Sequence, residues 1–255
     1  MYKIHRFILP LFVLAILLVG CNKNTANPNA ANTSSSMAAS VASARAIDFD
    51  GKILTGLHTV TISTSKGDVV LELNADAAPK AVTNFIALAR SGYYDGLTFH
   101  RIIPTFMVQG GDPKGDGTGG ESVFGPTFED EISALSYSLD KKTLADLAQG
   151  QQIPPELQKM TLKAYYEKQG YVYNNTLKSL PMNRGAIAMA NRGPNTNGSQ
   201  FFIVQGENIN WLEGKYTVFG KVTKGMEVVD TIAQLQRDEN NKPLQPVTLS
   251  VKVDK

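Results

Sequence analysis

"HTVTISTSKGDVVLELN", residues 58–74, alternates apolar and polar side chains on both sides of "SKGD". A period of two is the strand period, and a Gly-containing turn between two such runs marks a β-hairpin. Working outward, "APKAVTNFIALARSGYY" (78–94) changes to a helical period: Val82, Phe85, Ile86 and Ala89 share one face. Pro79 suits the first turn of that helix and Gly92 its stop. Short strand candidates follow at 97–103, 106–110, 185–190, 200–205 and 216–222. "GMEVVDTIAQL" (225–235) reads as a second amphipathic helix, and "VTLSVKV" (247–253) alternates again. Many short strands with two core helices predict a mainly β, antiparallel barrel or sandwich rather than a parallel α/β sheet.

The chain has 255 residues, 42% hydrophobic and 19% charged, an ordinary balance for a domain with a real core. "MYKIHR" (1–6) and "FILPLFVLAILLV" (7–19) have the form of a signal peptide, too short for a comfortable membrane span. The stretch ends "LVGC", which resembles the bacterial lipobox. On that resemblance residues 1–20 are removed and Cys21, the single cysteine, takes acyl chains such as palmitate. Asn22 after it, by resemblance to enterobacterial sorting, points to the outer membrane, facing the periplasm. Residues 22–46 are rich in Asn, Ala and Ser, too poor in bulky apolar groups to fold, and read as a disordered tether. A flexible coil of that length reaches about 25–30 Å.

Without Lys3 and Arg6, both in the signal, 25 bases fall to 23 against 23 acids. A near-zero net charge offers no basic footprint for nucleic acid. One cysteine makes no internal disulfide and no thiolate cluster, and His58 and His100 are too few for a His-rich metal site. No metal or cofactor is expected.

Two motif leads fail. Gly115, Gly117 and Gly120 in "GDGTGG" fit G-x-G-x-x-G, but "ESVFGPTFEDE" after them is no helix to hold a pyrophosphate. No G-x-S-x-G elbow occurs. What stands out instead is long polar side chains in apolar strands: Arg101 and Gln109 in "FHRIIPTFMVQGGD" (99–112), and Gln200 in "NTNGSQFFIVQG" (195–206).

Those stretches, with "GDGTGG", "FEDE" (128–131), "MANRGPNTNGSQFFI" (189–203) and "WLEGKYTVFGKV" (211–222), resemble the cyclophilins in order and spacing. The resemblance covers about 57–131 and 181–255 of a domain taken as 57–255. It implies a closed eight-stranded antiparallel barrel capped by two helices, and peptidyl-prolyl cis-trans isomerase activity in protein folding. An X–Pro amide turns over a barrier of about 20 kcal/mol because resonance must be broken. A gain of about 10⁵ in rate means lowering it by about 7 kcal/mol. No bond is made or cut; a dry pocket and aimed donors suffice.

By the resemblance Arg101 is the catalytic donor and Gln109 holds it. Phe106, Met107, Phe202 and Leu212 form the proline pocket, and Asn191 binds substrate backbone. Gln200, Trp211 and Tyr216 match further groove positions, Tyr216 standing where histidine is usual. Arg192, where alanine is common, Pro126 and Thr127 match gatekeepers of a second pocket. The bulk and charge of Arg192 should weaken cyclosporin binding. Implied partners are proline-containing polypeptides and, through Cys21, a membrane; the chain is expected to be a monomer. The alternative to an enzyme is a chaperone or scaffold that holds proline peptides with little turnover.

Residues 132–180 have no counterpart in a minimal cyclophilin. "LDKKTLADLAQG" (139–150) and "PPELQKMTLKAYYEKQG" (154–170) read as two helices, the second begun by Pro154-Pro155, with stops at Gly150 and Gly170. Leu157, Met160, Leu162 and Tyr165 suggest one buried face. Such an insertion is either a loop elaboration packed on the barrel or an arm for docking a partner. For a docking arm, deleting 135–178 with a short Gly-Ser bridge is expected to spare small-peptide turnover but reduce action on a folding protein.

Overall fold

The computed structural model describes residues 47, 49–148 and 152–254. The expected signal (1–20), Cys21, the tether (22–46) and the Gly150 stop lie outside the described residues.

The opening hairpin forms as the alternation requires. β1 (Leu57–Thr64) pairs antiparallel with β2 (Gly67–Asn74) from Leu57↔Asn74 to Thr64↔Gly67. Then come α1 (Pro79–Arg90), β3 (Leu97–Thr98), β4 (Arg101–Ile103) and β5 (Met107–Gly110). The insertion carries α2 (Leu144–Leu147), α3 (Pro155–Gln158) and α4 (Leu162–Glu167). β6 (Ala186–Met189), β7 (Phe201–Val204), β8 (Val218–Lys224), α5 (Met226–Ala233) and β9 (Thr248–Val253) complete the chain.

Among the described residues nine strands form one curled antiparallel sheet, ordered β3-β9-β1-β2-β8-β6-β7-β5-β4. The count exceeds the expected eight by one. The candidate strand 97–103 is divided at Phe99-His100, and its halves sit at opposite ends of the order. Leu97 and Thr98 pair with β9, whereas Arg101–Ile103 pair with β5.

Strand alternation sorts side chains into two clusters. Ile102, Val108, Ile187, Met189, Phe201 and Ile203 join the main core with α1 and α5. Their neighbours Met107, Ala186, Ala188, Phe202 and Val204 form a second cluster on the opposite face. Phe85 of α1 centres the main core, its ring 5.3 Å from Phe201 and 5.4 Å from Phe219.

Ala78, the residue before α1, has no polar side chain to cap it. Glu131 does so from a distant loop: its two carboxylate oxygens accept the Lys80 and Ala81 N–H groups, both at 2.8 Å. Burial pushes that carboxyl up to about 7, against the pull of those two N–H bonds.

The insertion is less helical than its sequence suggests. α2 is a single turn, and the run 154–170 is broken into α3 and α4. The break is where Thr161 caps α4, its hydroxyl accepting from Ala164 N at 3.2 Å. A bridge between Thr143 and Thr161, with Leu162 N donating to Lys142 O at 2.8 Å, also takes backbone groups a continuous helix would use. Its small core holds Ile132, Tyr137, Leu139, Leu162, Tyr166 and Tyr171. The buried α4 residues are therefore Leu162 and Tyr166; Leu157, Met160 and Tyr165 are only half-buried.

Candidate functional site

The second cluster becomes a site because polar residues share its face. In the β4–β5 hairpin Arg101 lies opposite Gln109; Gln109 lies opposite Phe202 on β7, and Phe202 opposite Ala188 on β6. One row across four strands thus sets a guanidinium, an amide and an aromatic ring side by side.

The polar groups are wired in one direction. Arg101 Nη1 donates to Gln109 Oε1 at 3.3 Å, and Gln109 Nε2 donates to Gln200 Oε1 at 2.9 Å. Gln200 Nε2 ends the chain on two loop carbonyls, Gly119 at 2.8 Å and Gly117 at 3.1 Å. Those carbonyls only accept, so both amides have one satisfying orientation and Gln109 must turn its oxygen to Arg101. Arg101 is half-buried. Burial draws its pKa down, but a guanidinium remains a cation in the protein.

Beside the row is a cavity of about 230 Å³. Phe106, Met107, Phe202 and Leu212 supply its apolar walls, and Arg101, Gln109, Asn191 and Tyr216 its polar rim. Tyr216 packs edge-on to Phe202 with ring centres 5.5 Å apart. Trp211 stacks on Phe106 at 5.4 Å and so backs that wall instead of lining the cavity. The amide of Asn191 is engaged within the protein: Nδ2 donates to Lys215 O at 2.9 Å and Oδ1 accepts from Gly193 N at 3.3 Å. Among the described residues its main-chain N–H and C=O have no hydrogen-bond partner.

A second cavity of about 220 Å³ adjoins the first, sharing Gln109, Ala190 and Asn191. Pro126, Thr127, Arg192 and Gln200 all line it, so Gln200 belongs to this pocket. Its floor is the turn containing Gly117, Gly119 and Gly120, the stretch that mimics a dinucleotide fingerprint. Gly120 has φ +104°, and a Cβ there would fall 2.5 Å from Ser199 Oγ. Arg192 is exposed and reaches back over the turn, Nη2 donating to Gly117 O at 2.6 Å.

The structure brings Arg101, Gln109, Phe106, Met107, Asn191, Phe202, Leu212 and Tyr216 around one cavity, and the three gatekeeper candidates around its neighbour. Ala190 and Lys215 were missed. Both lie inside quoted motifs, but neither has a side chain whose type announces a role. Among the described residues no group of three or more His, Cys, Asp or Glu could hold a metal ion. The arrangement can exclude water from an apolar ring and present a fixed cationic donor at the ring's edge.

A family model described as cyclophilin type peptidyl-prolyl cis-trans isomerase/CLD matches residues 59–253. Peptidyl-prolyl cis-trans isomerase cypE of Dictyostelium discoideum is 39% identical over 192 residues, which cover 75% of this chain and 94% of that protein. Peptidyl-prolyl cis-trans isomerase 9 of Schizosaccharomyces pombe is 39% identical over 200 residues, 78% of this chain. The match spans 25% of that longer relative. A Cryptosporidium parvum cyclophilin type isomerase, crystallised in the presence of the dipeptide Ala-Pro, superposes with TM-score 0.56 at 34% identity. The superposition covers 77% of this chain and 99% of that one.

Proposed function

The chain belongs to the cyclophilin family of peptidyl-prolyl cis-trans isomerases, and from that membership we propose an enzyme that interconverts X–Pro bonds of folding proteins in the cell envelope. The observation that carries this reading is the Arg101 guanidinium, held by Gln109 at the rim of an apolar cavity. A proline ring in that cavity, walled by Phe106, Met107, Phe202 and Leu212, places its amide nitrogen at the rim. A hydrogen bond from Arg101 to that nitrogen favours the pyramidal, unconjugated form reached as the bond twists. Because donor and walls are already in place, little reorganisation is needed at the transition state. Asn191, Gln200, Trp211 and Tyr216 extend the groove for the peptide on either side.

The same proposal includes the second pocket as the site for a residue upstream of the proline, with Arg192, Pro126 and Thr127 at its mouth. Arg192 also weakens cyclosporin binding by its bulk. A closed eight-stranded barrel belongs to it too. Residues 97–103, taken as one interrupted strand, would join the two ends of the sheet, supported by Phe99 N donating to Val247 O at 3.0 Å and His100 N to Gln109 O at 3.1 Å. The mature protein is a monomer tethered by lipidated Cys21 to the outer membrane, facing the periplasm.

Exchange NMR on a proline tetrapeptide tests the chemistry. Arg101→Ala should lower turnover at least about tenfold with the fold unchanged. Equal turnover in the two proteins would sink the catalytic assignment, and a cellular role that survives the substitution is a binding role. For the anchor, Cys21→Ser should release the protein from the membrane fraction. Unchanged retention, with the signal removed, rules the lipid anchor out.

A further inference from the structure

The insertion touches the barrel at one informative place. The segment 213–215 follows Trp211 and Leu212 and precedes Tyr216, so it carries the far wall of the apolar pocket. Each of its three residues is held by a different part of the insertion. Glu213 pairs with Lys142, Nζ to Oε2 at 3.4 Å. The Gly214 carbonyl accepts from the Tyr173 hydroxyl at 3.1 Å. Insertion side chains also press on Gly214: a Cβ there would lie 2.7 Å from Leu139 Cδ1 and 3.2 Å from Tyr166 Cε2.

Lys215 is the link to the groove. Its ammonium lies 5.4 Å from the centre of the Tyr166 ring, on α4, and 5.6 Å from that of Trp211. One cation thus bridges an aromatic face of the insertion and an aromatic face of the pocket wall. Trp211 in turn stacks on Phe106. The Lys215 carbonyl takes the Asn191 amide, on the wall the two pockets share.

We propose that the insertion 132–180 is a buttress for the far wall of the apolar pocket, and that Tyr166 is a positioning residue acting through Lys215 on Trp211. The proposal rests on the reading of that pocket as the proline site. It departs from both expectations for the insertion, since neither a bystander nor a separate docking arm would set small-peptide turnover.

Trp211 is the only tryptophan in the chain, so its emission reports the wall directly. In the full-length protein, Tyr166→Leu should red-shift that emission and make it easier to quench with acrylamide. KM for a proline tetrapeptide should rise about three- to tenfold while kcat changes by less than about twofold. Tyr166→Phe keeps the ring face and should match the wild type in all three. A folded Tyr166→Leu protein with wild-type emission and KM overturns the proposal. If that variant does not fold, Lys215→Met and Tyr173→Phe are the test, the first removing the bridging charge and the second only a hydroxyl. Wild-type emission and KM in both overturn it equally. Should the wild type itself turn over no proline peptide, the pocket's assignment fails, whereas Trp211 emission still decides whether the insertion holds the wall.

Discussion

The apolar pocket and its neighbour share Gln109, Ala190 and Asn191, yet beyond that wall they are made of different material. The first is centred on strand side chains in register, Arg101, Met107, Gln109 and Phe202, and is completed by Phe106, Leu212 and Tyr216 from outside the strands. The second is largely turns, with the glycines at 117, 119 and 120 on one side and residues 191–198 on the other. Register cannot slip without moving every side chain to the wrong face. Turns accept substitution with little cost to the sheet. On the function proposed above, gripping a proline ring would fall to the pocket centred on strands, and the choice of neighbouring residue to the one built from turns.

The Gln109–Gln200 pair is the physical connection between the two, and breaking it should have the largest effect. Gln200→Ala leaves the Gln109 amide and the Gly119 carbonyl without their partner, while the Gly117 carbonyl keeps Arg192. Turnover of a neutral proline peptide should fall about tenfold, the scale of one lost partner for a buried polar group. The preference for the upstream residue should change in the same protein. A change in only one of the two quantities would show that the pockets are independent.

Arg192→Ala sharpens the contrast from the other side. The exposed guanidinium should favour Asp or Glu over Lys or Arg two residues before the proline by a factor of about 1.5–5, with salt weakening it. The substitution should erase that preference, tighten cyclosporin binding and leave neutral peptides unaffected. An unchanged acidic-to-basic ratio would take Arg192 out of the pocket mouth.

Glu131→Gln should disturb the pockets least. Glu131 stands behind both: its N–H donates to Thr217 Oγ1 at 2.9 Å, next to Tyr216, and its loop carries Pro126 and Thr127. Its carboxyl is raised from 4.5 to about 7 by burial. A raised folded value means the proton is held more tightly in the folded state. This group's contribution to stability is then full below about 4.5 and is lost as pH rises through about 7. Denaturation midpoints across that window should show a fall in the wild type that Glu131→Gln flattens. The same slope in both proteins would assign the pH dependence elsewhere.

How far the sequence could be read follows the same division. The hairpin 58–74 and the face of α1 were legible because period two and period 3.6 are local signals. Arg101 and Gln109 were legible because long polar side chains in apolar strands break that signal. The division of 97–103 was not, since its first half takes its identity from a distant partner, β9, while its second half pairs locally with β5. The break before α4 also depends on a partner, Thr143, far away in sequence. Lys215 was illegible for the same reason: its meaning is Tyr166, on another element.

The division of 97–103 has a consequence for solubility. The outermost strands of the sheet order are two and three residues long. The Ile102 N–H on β4 is already given to Asn241 O at 2.8 Å. An unfolded client brings loose strands that seek unpaired backbone, and a long open edge would recruit them into mixed sheets. Here such a strand finds almost no ladder to extend, so the enzyme proposed above would be shielded from co-aggregating with unfolded chains.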